Sequence, residues 1–195
     1  MIKNSGRITT SNMNKLVQLA NSKKRVFTAQ DLAVIWGYSD EDKLFELIKY
    51  YSRQGEIFTL TRGLYSMHDY SEDEMRGDQK LLYEIANKLV PNSYVSLYTI
   101  LAQEGVMHQY YDAIYSIAKR KVTRNVNGVK FEYRRVKDSV LLNDWGIVND
   151  EGVRRATAER AVLDSRYLYP KWEIENLERV DSNLLKQGAK IYVKY

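Results

Sequence analysis

The chain has 195 residues, of which 44% are hydrophobic, and its formal net charge is +5. This length accommodates one large domain or two small ones, and the mild basic excess permits nucleic-acid binding without requiring it. The absence of cysteine excludes a disulfide framework and a thiolate metal site. No segment approaches the roughly 20 apolar residues of a membrane span, and the polar N-terminal segment lacks the apolar core of a signal peptide. We therefore expect a cytoplasmic protein that does not contact a membrane.

The first predicted elements are two helices. Apolar residues at helical spacing predict a short amphipathic helix over residues 13–20. Thr28 is a suitable N-cap for a second helix, and Asp31, three residues later, approximates a capping box. Gly37 is predicted to end this helix, because glycine tolerates the left-handed backbone of a helix C-cap.

A third helix and a β-hairpin follow. The helix is predicted to begin after Ser39 or Asp40, to have an acidic first turn that suits the helix dipole, and to stop at Gly55. Two short apolar strands then flank Arg62-Gly63, a typical turn dipeptide. Helix, turn, helix and hairpin in this order predict a winged helix-turn-helix DNA-binding domain.

The predicted winged helix, residues 1–70, implies two elements that contact DNA. In such a module the second helix of the pair enters the major groove, and the hairpin tip reaches the backbone or the minor groove. Acids at positions 40–42 oppose phosphate binding, so an ordinary solvated face is the alternative interpretation of this helix. The predicted DNA-binding residues are the exposed basic and aromatic positions of the third helix and the hairpin tip: Lys43, Lys49, Tyr50, Arg53 and Arg62.

A second domain is predicted over residues 78–195, after a polar and acidic linker over residues 68–77. It begins with a helix over residues 78–89. A short extended segment comes next, and then a helix capped by Ser96 and stopped by Gly105. The expected fold class is α+β, in which a mixed α/β C-terminal domain with an antiparallel hairpin follows the winged helix.

The clearest hairpin in the sequence has its turn at Asn127-Gly128, a strong signal for a two-residue turn. Pairing the flanking strands across it places Lys121 opposite Arg134 and Arg120 opposite Arg135. Like charges directly opposite destabilise a sheet, which favours an anionic partner, either nucleic acid or an acidic protein surface. Neutralisation by nearby acids is the alternative. The predicted partner surface consists of the basic residues in and around this hairpin: Lys119, Arg120, Lys121, Arg124, Lys130, Arg134 and Arg135.

The rest of the chain predicts further short elements. A strand region covers residues 140–148, and Thr157 caps a helix that runs to about residue 167. Another helix is predicted over residues 174–185 and a last strand over residues 191–193. Two acids of the Thr157-capped helix, Glu159 and Asp164, are expected to pair with Arg160, with Arg166 or with a neighbouring basic strand.

Four segments taken together carry a family resemblance: TRGLYSM, PNSYVSLYTILAQEGV, VTRNVNGVKFEYRRV and ATAERAVLDSRYL. They resemble the AbiEi family of antitoxins from bacterial type IV toxin–antitoxin and phage-defence systems. The resemblance implies that the winged helix binds promoter DNA and represses its own operon. It also implies that the C-terminal domain counters a nucleotidyltransferase-like toxin, AbiEii or a relative, without requiring a stable complex. Neither catalytic activity nor a cofactor is implied.

Two other functions remain open from the sequence. The first is a stand-alone winged-helix transcriptional regulator. The second is a nucleic-acid enzyme, for which Asp112, Glu132 and Lys130 are the residues one would examine, because metal-dependent nucleases need clustered acids and a lysine. Neither histidine lies in a metal-ligand spacing. The tyrosines of the second domain are expected to serve the core and interfaces rather than to stack on bases: Tyr94, Tyr98, Tyr110, Tyr111 and Tyr115.

Overall fold

A computed structural model describes residues 10–108 and 112–193 of the chain. The chain forms two compact units, Met1–Tyr70 and Ser71–Tyr195, each with its own β-sheet. The predicted α+β class is therefore confirmed. Tyr110 and Tyr111 lie outside the described residues. In the part of the chain that the structure describes, every helix is too short or too polar to cross a bilayer.

The first unit combines three helices with a three-stranded antiparallel sheet. A strand that the sequence did not predict, β1, pairs with the hairpin, and the sheet order is β1-β3-β2. The elements in chain order are α1 (Thr10–Asn21), β1 (Val26–Thr28), α2 (Ala29–Trp36), α3 (Glu41–Arg53), β2 (Phe58–Thr61) and β3 (Leu64–Ser66).

The helix ends of the first unit follow from local capping. The Thr28 side chain accepts a hydrogen bond from the Asp31 amide (3.1 Å), and Asp31 accepts one from the Thr28 amide (2.9 Å), so the predicted capping box is confirmed. Gly37 ends α2 with φ of 71°, as predicted. Of the two predicted caps for α3, Asp40 is the N-cap, and it accepts from the Lys43 amide at 3.2 Å.

The core of the first unit draws on all three helices and on the sheet. Trp36 of α2 and Tyr51 of α3 meet with ring centroids 5.6 Å apart. Full burial of a large apolar side chain contributes roughly 1.5–3 kcal/mol, so this cluster orients α3 relative to the sheet. Its buried members are Leu19, Phe27, Leu32, Trp36, Leu44, Ile48, Tyr51, Ile57 and Tyr65.

The second unit is built on a mixed six-stranded sheet with the order β6-β7-β5-β4-β9-β8. The β4–β9 and β5–β7 pairs are parallel, and the other neighbours are antiparallel. The elements are α4 (Glu72–Gly77), α5 (Gln79–Leu89), β4 (Tyr94–Val95), α6 (Tyr98–Gln103), β5 (Ile114–Ala118), β6 (Val122–Val126), β7 (Val129–Arg135), α7 (Asp138–Leu141), β8 (Ile147–Asp150), β9 (Val153–Ala156), α8 (Ala158–Leu168) and α9 (Ser182–Ala189).

Helices pack on both faces of this sheet. On one face Tyr133 of β7 is fully buried and donates its hydroxyl to the Ala86 carbonyl of α5 (2.7 Å). On the other face Tyr94 of β4 reaches Asp164 of α8. Side chains along a strand alternate between the two faces of a sheet. The residues of β7 that alternate with Tyr133 therefore lie on the α8 side.

The predicted β6–β7 hairpin is confirmed, including its register of Val126 opposite Val129. Asn127 and Gly128 both have positive φ, 45° and 88°, as a two-residue hairpin turn of this kind requires. An added Cβ at Gly128 would also displace the exposed end of the Glu72 side chain, which can move aside, so the positive φ is the main requirement for glycine.

Part of the predicted linker is helical. Ser71 and Glu74 form a capping box at the start of α4, and Met75 of that helix is completely buried. Residues 72–77 are therefore part of the second unit. The acidic composition had indicated a linker, but it belongs to the first turn of a helix, where the helix dipole favours acids.

Four other predictions for the second unit are wrong. Residues 140–148 are not one strand region, because α7 covers the first part and β8 begins at Ile147. The helix predicted over 174–185 is shifted to α9, and residues 190–192 form a 3-10 turn instead of a strand. Ser96 does not cap α6, since its hydroxyl is bonded to a buried carboxylate.

Candidate nucleic-acid and partner surfaces

The predicted DNA-binding cations of α3 lie on its exposed face beside acids. The Lys43 ammonium is 3.1 Å from Asp40, and the Lys49 ammonium is 3.7 Å from Glu46. The backbone and side-chain hydrogen bonds from Lys43 lower the pKa of Asp40. Exposed pairs of this kind contribute at most about 1 kcal/mol, so both ammonium groups are free to exchange an acid for a phosphate.

The other three predicted DNA-binding residues differ in exposure. Tyr50 is half-buried, because its ring packs edge-on against Tyr51 with centroids 5.4 Å apart. Arg53 and Arg62 are exposed, and neither forms an ion pair within the described residues. Arg62 occupies the β2–β3 turn beside Gly63, whose φ is 81°. The turn therefore presents a guanidinium to solvent at the tip of the hairpin.

The like-charge pairs predicted across the second hairpin are not formed. β6 begins at Val122, so Lys121 and Arg120 precede the paired segment. On the other strand, Arg134 is paired with Ile117 of β5 and Arg135 with the residue after it. The predicted register extended the hairpin by two pairs beyond Val122 and Tyr133, which form its outermost pair.

Glu132 neutralises the centre of the basic surface. It is almost fully buried and forms ion pairs with Lys130 and with Arg134, the latter at 2.5 Å. Burial acts to raise the pKa of Glu132, but the hydrogen bonds and charges of Lys130 and Arg134 outweigh it, and the pKa is lowered. This supports the neutralisation alternative in part, because one carboxylate shared by two cations leaves the group with a net charge of +1.

The remaining basic residues around the hairpin stay available to a partner. The Lys119 ammonium is 3.4 Å from the exposed carboxylate of Asp138, a weak surface pair. The others are exposed and form no ion pair within the described residues. These are Arg120, Lys121, Arg124 and Arg135.

Four aromatic residues gather beside Arg134 on the α8 side of the sheet. Around Tyr98 the ring centroids of Tyr115, Trp172 and Tyr169 lie at 4.9, 4.5 and 6.0 Å. Arg134 donates from Nε to the Tyr169 hydroxyl at 2.8 Å. Tyr169 and Trp172 were missed as site residues, because they follow α8 in an irregular segment where no periodicity marks an aromatic as part of a surface.

A buried polar network lies beneath α8. Arg160 and Asp164 are completely buried, with Arg160 Nε 3.4 Å from the carboxylate. The carboxylate also accepts hydrogen bonds from the hydroxyls of Ser96 (2.7 Å), Tyr94 (3.0 Å) and Tyr192 (2.6 Å). Of the cations predicted to pair with the acids of this helix, Arg160 is the partner of Asp164, whereas Glu159 accepts a hydrogen bond from the Asp181 amide (3.3 Å). Nothing local indicated the three hydroxyl donors.

Of the three residues considered for a nuclease, Glu132 and Lys130 pair with each other, whereas Asp112 has a different partner. Asp112 forms an ion pair with Arg76 at 2.8 Å, whereas Glu132 is held between Lys130 and Arg134. Within residues 10–108 and 112–193, histidine and acidic side chains form no group of three or more that is suited to a metal ion.

No family model matches the sequence, and no curated protein matches it. Among solved structures, the chain is similar to the crystal structure of the RV2827C protein from Mycobacterium tuberculosis. The sequence identity is 12%, and the similarity covers 94% of this chain and 72% of that chain with a TM-score of 0.51. At this level of identity the similarity concerns the fold, and it agrees with the α+β architecture.

Proposed function

We propose that this protein is an antitoxin that represses its own operon, in which the first unit is a winged helix-turn-helix that binds promoter DNA. The element order of the first unit carries this proposal. Two consecutive helices, α2 and α3, are followed by a hairpin that is completed into a sheet by β1. In DNA-binding modules of this design, the second helix reads the major groove while the hairpin tip reaches the backbone or the minor groove.

The charges of the first unit support the same role. Lys43, Lys49 and Arg53 lie exposed along α3, and Arg62 is exposed at the hairpin tip. The acids at the start of α3 are occupied in part, because Asp40 caps the helix and pairs with Lys43. Cations at these positions contact phosphates, which supply most of the affinity and little of the sequence preference.

Arg62→Ala is expected to weaken binding to the DNA upstream of the gene. Loss of one phosphate contact reduces the dependence of log K on log salt by about one unit. Titration of the upstream fragment at several salt concentrations, followed by fluorescence anisotropy, measures both quantities. Lys186→Ala, an exposed cation on α9 of the second unit, is the matched control. Equal affinity and equal slope for Arg62→Ala and wild type would remove Arg62 from the interface.

For the antitoxin role, the proposal assigns a protein-binding or nucleic-acid-binding surface to the basic residues around β6 and β7. Arg134 is unsuited to a charge-reversal test, because glutamate there would stand beside the buried Glu132. Lys121 and Arg135 are better targets, since both are exposed and have no ion pair within the described residues. Their replacement changes the charge of the surface without removing a structural contact.

Lys121→Glu combined with Arg135→Glu is expected to abolish rescue of growth from a nucleotidyltransferase-like toxin encoded by the neighbouring gene. The physical reason is that reversing two cations changes the surface charge by four units and repels an anionic partner. Colony counts with the toxin gene induced measure rescue. Lys186→Glu with Lys190→Glu makes the same charge change elsewhere and should rescue fully. Normal rescue by the hairpin variant would exclude this surface, and absence of rescue by wild type would leave a DNA-binding regulator.

A further inference from the structure

The α8 side of β6 and β7 presents a polar sheet face to solvent. Thr123 and Asn125 of β6 and Lys130 of β7 are all exposed. By the register of the hairpin, these residues share one face with Glu132. The opposite face is covered, because Tyr133 is buried under α5. The sheet is therefore closed on one side and open on the other at this edge.

An aromatic cluster borders the open face. Tyr98, Tyr115, Tyr169 and Trp172 are each half-buried, so each of these residues keeps accessible surface. Their edge-to-face and stacked contacts at 4.5–6.0 Å hold the rings in fixed orientations. A rigid group of aromatic rings that keeps accessible surface is suited to flat apolar ligand groups, because little side-chain entropy is lost when they bind.

Cations accompany the rings. The Arg134 guanidinium lies 5.9 Å from the centroid of Tyr115 and donates to the Tyr169 hydroxyl. Lys130 is exposed beside it. Glu132 is buried beneath Lys130 and Arg134. Lys171 and Glu173, which flank Trp172 in sequence, are both exposed and offset each other in charge. The accessible charge of this face is therefore positive.

We propose that this face is a binding site for single-stranded nucleic acid. Bases would stack against the cluster of Tyr98, Tyr115, Tyr169 and Trp172, while Lys130 and Arg134 contact phosphates. A single strand consists of flat aromatic bases linked by anionic phosphates, and these match the rings and the cations of this face. Stacking on the rings requires bases that are not paired in a duplex. In a duplex the base faces are covered, so a duplex would use the cations alone. This site is separate from the proposed DNA-binding surface of the first unit.

The test uses the full chain and three labelled probes of one sequence, roughly ten nucleotides long: single-stranded RNA, single-stranded DNA and the DNA duplex. Fluorescence anisotropy measures the affinity of each. Trp172→Leu is expected to weaken single-strand binding at least about fivefold, because each stacked base contributes about 1–3 kcal/mol. Tyr167→Leu, a half-buried tyrosine that contacts Tyr192 instead of the cluster, is the matched control and should bind like wild type.

Two further measurements keep the test decisive if Trp172→Leu fails to fold, which circular dichroism would show. The first is quenching of the wild-type Trp172 fluorescence by the single-stranded probe, with Trp172→Phe providing the background. The second is Lys130→Gln, an exposed substitution that should lower the salt dependence by about one phosphate contact. If one of the two single-stranded probes, RNA or DNA, binds more tightly, it represents the ligand that the site prefers.

Three results would overturn the proposal. One is absence of single-strand binding by wild type up to about 100 µM protein, the weak end of non-specific affinities. Another is a loss of duplex affinity in Trp172→Leu that equals its loss of single-strand affinity under the same salt. The third is unchanged affinity in both Trp172→Leu and Lys130→Gln. None of these results depends on whether the first unit binds promoter DNA or whether the chain neutralises a toxin.

Discussion

Asp164→Asn is expected to lower the free energy of unfolding by about 3–5 kcal/mol, because it leaves the buried Arg160 guanidinium without its counter-ion. Both side chains are completely buried in the wild type. A cation removed from water is tolerated where a carboxylate and hydrogen-bond acceptors replace the lost hydration. The substitution removes the carboxylate and leaves the cation in place, which is the costly way to break such a pair.

The contacts of Arg160 explain why the destabilisation by Asp164→Asn should extend beyond α8. Its guanidinium donates to the carbonyls of Val140 (2.6 Å) and Trp145 (2.8 Å) and to the Tyr94 hydroxyl (3.0 Å). These groups belong to α7, to the segment before β8 and to β4. Asp164 in turn accepts from Tyr192 near the end of the described chain. One ion pair therefore links α8 with four other parts of the second unit.

Urea unfolding followed by circular dichroism measures the effect. Asp144→Asn is the matched control, because Asp144 also pairs with an arginine, Arg154 at 2.9 Å, but is largely exposed. Its loss should change the free energy of unfolding by no more than about 1 kcal/mol. If Asp164→Asn were as stable as Asp144→Asn, the network would contribute little to the fold.

Gly188→Ala is expected to lower the free energy of unfolding by about 1–3 kcal/mol, the usual cost of overpacking. Gly188 is a buried residue of α9, and an added Cβ would overlap the ring of Trp145 and come within 2.7 Å of Leu163 Cδ1. Alanine is normally the better helix former by about 0.5–1 kcal/mol. The steric conflict acts against that gain and exceeds it, because Leu163 of α8 is itself buried.

A second glycine provides the control for this substitution. Gly77, the last residue of α4, has open space around the position of a Cβ. Gly77→Ala should therefore be neutral or stabilising, by at most about 1 kcal/mol. Thermal unfolding of both variants by calorimetry compares them directly. A stability for Gly188→Ala equal to that of Gly77→Ala would show that α9 can move away from Trp145 without cost.

The elements predicted correctly are those whose signals are local. The capping box of Thr28 and Asp31, the stop at Gly37 and the Asn127-Gly128 hairpin each depend on residues within a few positions of one another. Hydrogen bonds across such short separations form with little loss of chain entropy, so sequence patterns report them reliably. The acidic segment before α5 was misinterpreted, because a capping box and a linker share polar composition.

The elements and contacts that were missed depend on distant parts of the chain. β1 is a strand because the returning hairpin strand β3 pairs with it, and Arg134 lies beside Ile117 because the parallel strand β5 pairs with β7. The aromatic cluster brings together residues from α6, β5 and the segment after α8. No periodicity within any one segment predicts these neighbours.

By itself, the sequence determined the order of helices and hairpins, the α+β class and the exposed cations of α3 and of the hairpin tip. These features follow from local capping, turn chemistry and alternation of apolar residues. The tertiary structure alone decided which charges are neutralised, as for Glu132, and which are sealed in the core, as for Arg160 and Asp164. The reason is that burial and ion pairing depend on packing between segments far apart in sequence, which fixes how much water each charge retains.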